Sequence, residues 1–177
     1  MTYLQLASRG VLGFVMALAV VGKLSGRRPW RDFQASLGGF GWMPRPWWPA
    51  VAALVVLAEA TVVGLVLHPA TATAGLLFGG LLVLAVSVAV LGARRAGREV
   101  RCHCFGGDAG PIGKAHLARN VVLLLVCGTG AASSAVTTAT PGPATGGLLL
   151  GLAGVAAVAL SYPAELSFVI APPARRS

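Results

Sequence analysis

Charged residues are scarce in this sequence, and their scarcity excludes a large class of proteins. Only 11% of the 177 residues are charged, whereas 56% are hydrophobic. Soluble globular domains carry roughly 25% charged residues. This composition therefore excludes a water-soluble domain.

The charges that are present are mostly basic, with 14 Lys and Arg against 5 Asp and Glu and a net charge of +9. They lie in short clusters between apolar runs, not in a stripe with interleaved aromatic residues of the kind that binds nucleic acid. In this arrangement Lys and Arg act as topology signals and as contacts to anionic lipid. The sequence predicts a lipid bilayer as partner and no nucleic acid.

Cysteine is also scarce. Three cysteines are too few for a secreted disulfide scaffold, so a disulfide here would serve chemistry rather than structure. The N-terminus resembles a signal peptide in one respect, the small-x-small run at residues 17–19. However, the apolar run continues to Gly22 and Arg9 is its only charge, which favours a first membrane span.

Five apolar stretches have the length of about 20 residues that a helix needs to cross a bilayer. Because none alternates in polarity, a strand in a closed barrel is excluded and helices are predicted. The predicted fold is an all-α polytopic transmembrane bundle. Its four-helix core occupies residues 1–135, and residues 136–177 hold a linker, a fifth span and a short basic tail. The predicted spans are residues 4–22, 47–67, 73–92, 115–135 and 147–170.

Basic residues cluster in alternate connections. Those after the first and third spans are rich in Lys and Arg, and residues 68–72 and 133–146 contain neither. The positive-inside rule then predicts the N-terminus outside an inner (plasma) membrane, with both basic connections and the C-terminus in the cytoplasm.

The connection between spans three and four carries the residues best suited to chemistry. Cys102 and Cys104 are one residue apart, and glycines that permit tight turns follow them. A disulfide across so short a spacing is strained, and strained disulfides are the labile or catalytic ones. Arg101 and His103 lie beside the pair, and nearby positive charge favours the reactive thiolate. The pattern predicts a catalytic redox pair at Cys102 and Cys104.

Two other interpretations remain open for this segment. The cysteines could be incidental, or could bind zinc together with His103 and His116. Zinc sites usually separate their cysteines by two to four residues, so no metal is predicted. Cys127, inside the fourth span, is expected to be a packing residue. A cytoplasmic redox pair also conflicts with the usual extracytoplasmic location of disulfide formation.

Glu59 falls near the middle of the second span, where an ionisable residue is costly and indicates a functional site. It could form a structural ion pair with Arg9 or Lys23, or handle protons beside a thiol or a quinone. Arg119 and Asn120, at the start of the fourth span, could cap the cysteine segment or hold a thiolate. Lys23, Glu59, Arg119 and Asn120 are thus predicted supporting residues, with Arg101 and His103.

These residues together resemble a known family. The resemblance extends over about residues 5–130 and is carried by Cys102-His103-Cys104-Phe105-Gly106-Gly107, then Ala118-Arg119-Asn120, with Gly22-Lys23-Leu24 and Glu59. This pattern is similar to the methylamine-utilisation MauE family, which is related to the DoxX-like membrane proteins.

The resemblance implies a redox-associated bundle of about four helices that works with a thioredoxin-like partner in disulfide formation or protein maturation. The predicted function is a membrane thiol–disulfide oxidoreductase. A non-enzymatic scaffold that docks a redox or maturation partner is the alternative, so enzymatic activity stays open. No cofactor is predicted, although a quinone is left open. A transporter is disfavoured because no internal repeat is visible.

Overall fold

The structure, a computed structural model, describes residues 2–41, 43–98, 114–134 and 152–156. Helices make up nearly all of these ranges, and no strand occurs within them. This confirms the all-α prediction. The main helices are α1 (Thr2–Leu24), α2 (Arg27–Gly38), α3 (Trp48–Leu67), α4 (Ala72–Arg95) and α5 (Lys114–Ser134).

Four of these helices, α1, α3, α4 and α5, are long and apolar enough to cross a membrane. The 23 residues of α1 rise about 34 Å at 1.5 Å per residue. A bilayer core is about 30 Å thick. Leucines on the outer faces are far from buried: Leu54 and Leu57 on α3 are each 64% exposed. Such a surface suits lipid, and the chain is a multi-pass membrane protein.

The four spans form a closed ring in chain order. Helix α1 packs against α3 and α5, and α4 packs against the same two helices. Since each connection joins neighbours, the spans run alternately up and down. The centre is filled by apolar side chains, namely Leu12, Val15, Met16, Val62, Val66, Leu76, Val83, Leu123 and Cys127. The burial of Cys127 agrees with its expected packing role.

Glycines let the spans approach closely. A Cβ on Gly130 of α5 would lie 2.5 Å from Cβ of Ser8 on α1. A Cβ on Gly79 of α4 would lie 2.7 Å from Leu12. Small residues at such contacts let membrane helices pack backbone to backbone.

Helix α2 lies in the connection between the first two spans, outside the five apolar stretches, and was not predicted from the sequence. Phe33 and Leu37 form its buried face and pack against the first half of α3. Three arginines, Arg27, Arg28 and Arg31, are exposed on its other side. The spacing of Phe33 and Leu37, four residues apart, is typical of an amphipathic helix. This helix contains no long apolar run, because arginine, aspartate and glutamine interrupt its apolar residues. The apolar stretches of the sequence therefore do not predict it.

Two predicted regions lie wholly or largely outside the described residues. The cysteine segment, with Arg101, Cys102, His103 and Cys104, is one of them. Of the predicted fifth span, residues 152–156 are described and are helical. Ala153 is buried there, and a Cβ on Gly154 would lie 3.5 Å from the Phe14 ring of α1. This short piece therefore packs on the outside of α1.

Candidate functional site

An ion pair is buried between the end of α1 and the middle of α3. Lys23 Nζ lies 2.6 Å from Glu59 Oε1 and 2.7 Å from Oε2. Lys23 is 1% exposed and Glu59 is 8% exposed. The Phe33 ring of α2 lies 4.9 Å from the same Nζ, within the range of a cation–π contact. Helix α2 therefore covers a salt bridge that uses both carboxylate oxygens.

The structure selects Lys23 from the two predicted partners of Glu59. Arg9 lies at the opposite end of the bundle, where its Nε donates to the carbonyl of Val66 at 2.8 Å and its Nη2 donates to Leu67 at 3.1 Å. The last carbonyls of a helix have no partner within it. Arg9 therefore caps the C-terminus of α3 and takes no part in the ion pair.

The first turns of α5 bring more polar groups to the level of the ion pair. Asn120 Nδ2 donates to Ser87 Oγ on α4 at 2.9 Å, and Ser87 Oγ donates to the Val83 carbonyl at 2.7 Å. This chain of hydrogen bonds ties α5 to α4 through side chains that are both buried. Sequence reasoning does not single out Ser87, since one serine in an apolar helix carries no signal of such a role.

Arg119 and His116 lie one helical turn apart on α5. Arg119 Nη2 is 3.4 Å from His116 Nδ1, and the guanidinium charge also acts repulsively on Lys23. A second positive charge thus lies near the ion pair. Among the described residues, Lys23 and Arg119 bring two positive charges to this polar cluster and Glu59 brings one negative charge when all three are ionised.

These residues surround a cavity of about 110 Å³ to which all five helices contribute. Its polar lining brings together four of the predicted supporting residues, Lys23, Glu59, Arg119 and Asn120, with His116. The rest of the wall is mostly apolar and includes Val15, Phe33, Leu37, Val83, Val86 and Val90.

The start of the cysteine segment is held at the same end of the bundle. Gly97, just beyond the C-terminus of α4, has a φ of +70°, and the Arg98 N–H donates to the Ala93 carbonyl at 3.1 Å. Together with the Gly97 N–H donating to the Arg94 carbonyl at 3.0 Å, this is a Schellman motif. Arg98 then reaches the turn that follows α2, where its Nη1 donates to the Phe40 carbonyl at 2.6 Å.

Gly41 makes room for this contact. Its φ of +67° is a left-handed conformation, and a Cβ there would overlap the Arg98 guanidinium. Glycine is therefore required both for the backbone conformation and for the space. The two basic connections of the bundle are joined at this point.

Within the described ranges, no group of three or more His, Cys, Asp or Glu could hold a metal ion. His116, one of the four candidate zinc ligands, lies beside the Arg119 guanidinium. A positive charge at that distance opposes a dication. The other three candidates, Cys102, His103 and Cys104, fall outside the described ranges.

The family profile described as "Methylamine utilisation protein MauE" matches residues 1–133. The match includes the four spans, the ion pair, the cavity lining and the segment with Cys102 and Cys104. Comparisons with curated proteins and with solved structures gave no match. The relationship to DoxX-like proteins stays a prediction. Since the profile covers three quarters of the sequence, this multi-pass membrane protein belongs to the MauE family of methylamine utilisation proteins.

Proposed function

We propose that the protein is a membrane thiol–disulfide oxidoreductase. Cys102 and Cys104 cycle between dithiol and disulfide and exchange electrons with a thioredoxin-like partner, in disulfide formation or protein maturation of the methylamine-utilisation type. One observation carries the proposal. The polar cavity is lined by both α4 and α5, the two helices that the cysteine segment connects.

The distances along the chain support this link. Arg98, hydrogen-bonded to the Phe40 carbonyl just after α2, precedes Cys102 by four positions. Four residues of extended chain span at most about 14 Å. On the other side, Cys104 precedes Lys114, the first residue of α5, by ten positions, and the first turns of α5 carry His116 and Arg119. Positive charge from Arg98 and Arg119 near a thiol favours its thiolate, which is the nucleophile in disulfide exchange.

The exchange needs both cysteines. A thiolate of the reduced partner attacks one sulfur of the Cys102–Cys104 disulfide, which forms a mixed disulfide and releases the other cysteine as a thiolate. The partner's second thiolate then attacks its own sulfur in the mixed disulfide. The partner leaves as a disulfide, and two electrons and two protons have passed to Cys102 and Cys104. The reverse sequence reduces the partner.

Trapping the mixed disulfide in cells tests this proposal. Each single variant, Cys102→Ser and Cys104→Ser, should lose turnover, and the one that retains the exchanging thiol should accumulate a reducible adduct with a thioredoxin-fold protein on a non-reducing gel. The double variant should give no adduct, and Cys127→Ser should behave as the wild type.

The scaffold alternative predicts a different pattern. A docking protein would still retain its partner non-covalently when both cysteines are replaced, and no adduct would form with either single variant. That result would overturn the redox proposal. Any adduct that persists in the double variant would also contradict it.

A further inference from the structure

A groove lies between α1 and α3 at the end of the bundle where Arg9 caps α3. Its volume is about 310 Å³. Gly10, Gly13 and Ala17 line it from α1, and their spacing of three and four positions places them on one helical face. Because these residues carry little or no side chain, they leave open space along α1. The rest of the wall is apolar apart from Arg9 and includes Leu6, Phe14, Val63, Val66 and Leu67.

The groove has the length and volume of a stretch of hydrocarbon chain. Ala17 follows Arg9 by eight positions, which is about 12 Å along the helix. A cavity of about 150 Å³ takes up benzene, so a groove of twice that volume holds roughly a dozen carbon atoms. Residues 152–156 reach the Phe14 ring at Gly154 but do not line the groove. Since spanning helices are surrounded by lipid, an acyl chain can enter the groove from the bilayer.

Arg9 has unused donors at one end of this groove. A guanidinium carries five N–H groups. The Nε group of Arg9 and one Nη2 group donate to the carbonyls of Val66 and Leu67. The other three have no hydrogen-bond partner among the described residues, and no described carboxylate is within ion-pair distance of Arg9. A charge in an apolar helix is costly unless it is balanced, so an anion from outside the described residues would complete this site.

The depth of Arg9 in the membrane identifies that anion. Helix α3 has 20 residues and rises about 30 Å, the thickness of the hydrocarbon core. Its last residue, Leu67, therefore lies at the boundary with the headgroups, and His68 and Pro69 beyond it are exposed. The anion at this level of a bilayer is the lipid phosphate, which an arginine binds through two parallel N–H donors.

We propose that this groove binds an anionic phospholipid, with an acyl chain along Gly10, Gly13 and Ala17 and the phosphate on the remaining N–H groups of Arg9. No described residue at this end is a carboxylate that could hold the ammonium group of a zwitterionic headgroup, so lipids with a net negative charge are favoured. The predicted topology places this end outside, and the lipid then comes from the outer leaflet. The site is independent of the redox proposal, because it lies at the end of the bundle opposite Lys23.

Native mass spectrometry of the full-length protein in detergent micelles with added phosphatidylglycerol tests the site. We expect the wild type to retain one phosphatidylglycerol molecule. Affinity should fall about tenfold or more in Arg9→Gln and in Ala17→Phe. Arg27→Gln removes the same charge from an exposed residue of α2, and Ala60→Phe adds the same ring to the exposed side of α3. Both controls should bind the lipid as the wild type does.

Val63→Phe blocks the groove from α3 and leaves Arg9 in place, so the test survives if loss of the α3 cap prevents Arg9→Gln from folding. Three results would overturn the site. The folded groove variants could bind phosphatidylglycerol as tightly as the controls, or the wild type could bind phosphatidylcholine equally well. Displacement of the lipid by inorganic phosphate would instead assign Arg9 to a soluble anion.

The chain itself and a second copy are the other candidates for the groove. In a background with Cys102, Cys104 and Cys127 changed to serine, Val63→Cys should form no disulfide with a cysteine placed within residues 157–170. Such a disulfide would assign the groove to the predicted fifth span. A disulfide between two copies through Val63→Cys would assign it to a dimer interface, and either result would contradict a lipid site.

Discussion

Lys23 Nζ contacts both carboxylate oxygens of Glu59, at 2.6 Å and 2.7 Å, from the last turn of α1 to the middle of α3. Both side chains are almost fully buried, with exposures of 1% and 10%. A buried ion pair gives little net stability compared with an apolar pair, but losing one partner leaves the other charge buried alone. The pair therefore fixes how α1 and α3 meet beneath α2.

Glu59→Gln should destabilise the bundle, because the Lys23 ammonium would lose its only nearby carboxylate among the described residues. The expected loss is about 3–5 kcal/mol, measured as the free energy of unfolding in detergent. Cys102 and Cys104 should remain reactive. The double variant Lys23→Met, Glu59→Gln should recover part of the loss, since no charge is then stranded.

The exposed pair of Arg28 and Asp32 on α2 provides the control. Arg28 Nε and Asp32 Oδ2 are 3.9 Å apart, and the two side chains are 94% and 44% exposed, so Asp32→Asn should change stability by less than about 1 kcal/mol. Normal stability of Glu59→Gln together with lost thiol exchange would contradict a structural role and support proton transfer by Glu59.

Two glycines on α5 test the close packing of the spans. Gly130→Ala should destabilise the protein, because its Cβ would lie 2.5 Å from Ser8 on α1. Gly128→Ala meets nothing within 4 Å and should be neutral or stabilise the helix by up to about 1 kcal/mol. Thermal unfolding in detergent measures both. Equal melting temperatures for the two variants would show that α1 and α5 do not meet at this distance.

Arg98 should control the exposure of the cysteine pair. Arg98→Gln removes the 2.6 Å hydrogen bond to the Phe40 carbonyl, so we expect faster alkylation of Cys102 and Cys104 in the reduced protein. The rate is measured at a pH of about 10, where the thiols are ionised in every variant and the lost charge no longer changes the thiolate fraction. Arg95→Gln removes the same charge from an exposed residue at the end of α4, and should change the rate less. Gly41→Ala should reproduce the Arg98→Gln effect, because its Cβ would displace the guanidinium. Identical alkylation rates in all variants would contradict an anchoring role.

The basic connections predict that the cysteine segment faces the cytoplasm. In cells that express Cys127→Ser, a membrane-impermeant maleimide should label Cys102 and Cys104 only after the membrane is opened. Prior reduction ensures that a disulfide does not mask the thiols. Strong labelling of intact cells would instead place the segment on the outer side, where disulfides normally form.

The four spans could be predicted from sequence because lipid requires about 20 apolar residues in succession. Glu59 could be singled out for the same reason, as a charge within such a run. Its partner could not be chosen, because Arg9 and Lys23 both belong to α1 and only the relative register of α1 and α3 decides between them. Ser87 gave no signal at all. Its role depends on the rotation of α4 toward Asn120, which no local pattern encodes.

The rate of disulfide exchange with a reduced thioredoxin tests the central proposal most directly. Oxidised wild-type protein and Cys127→Ser should oxidise the thioredoxin with matching rates. Cys102→Ser, Cys104→Ser and the double variant should all be inactive to the same extent, since residues that act as one unit are strongly non-additive. A double variant that oxidises thioredoxin at the wild-type rate would contradict the account.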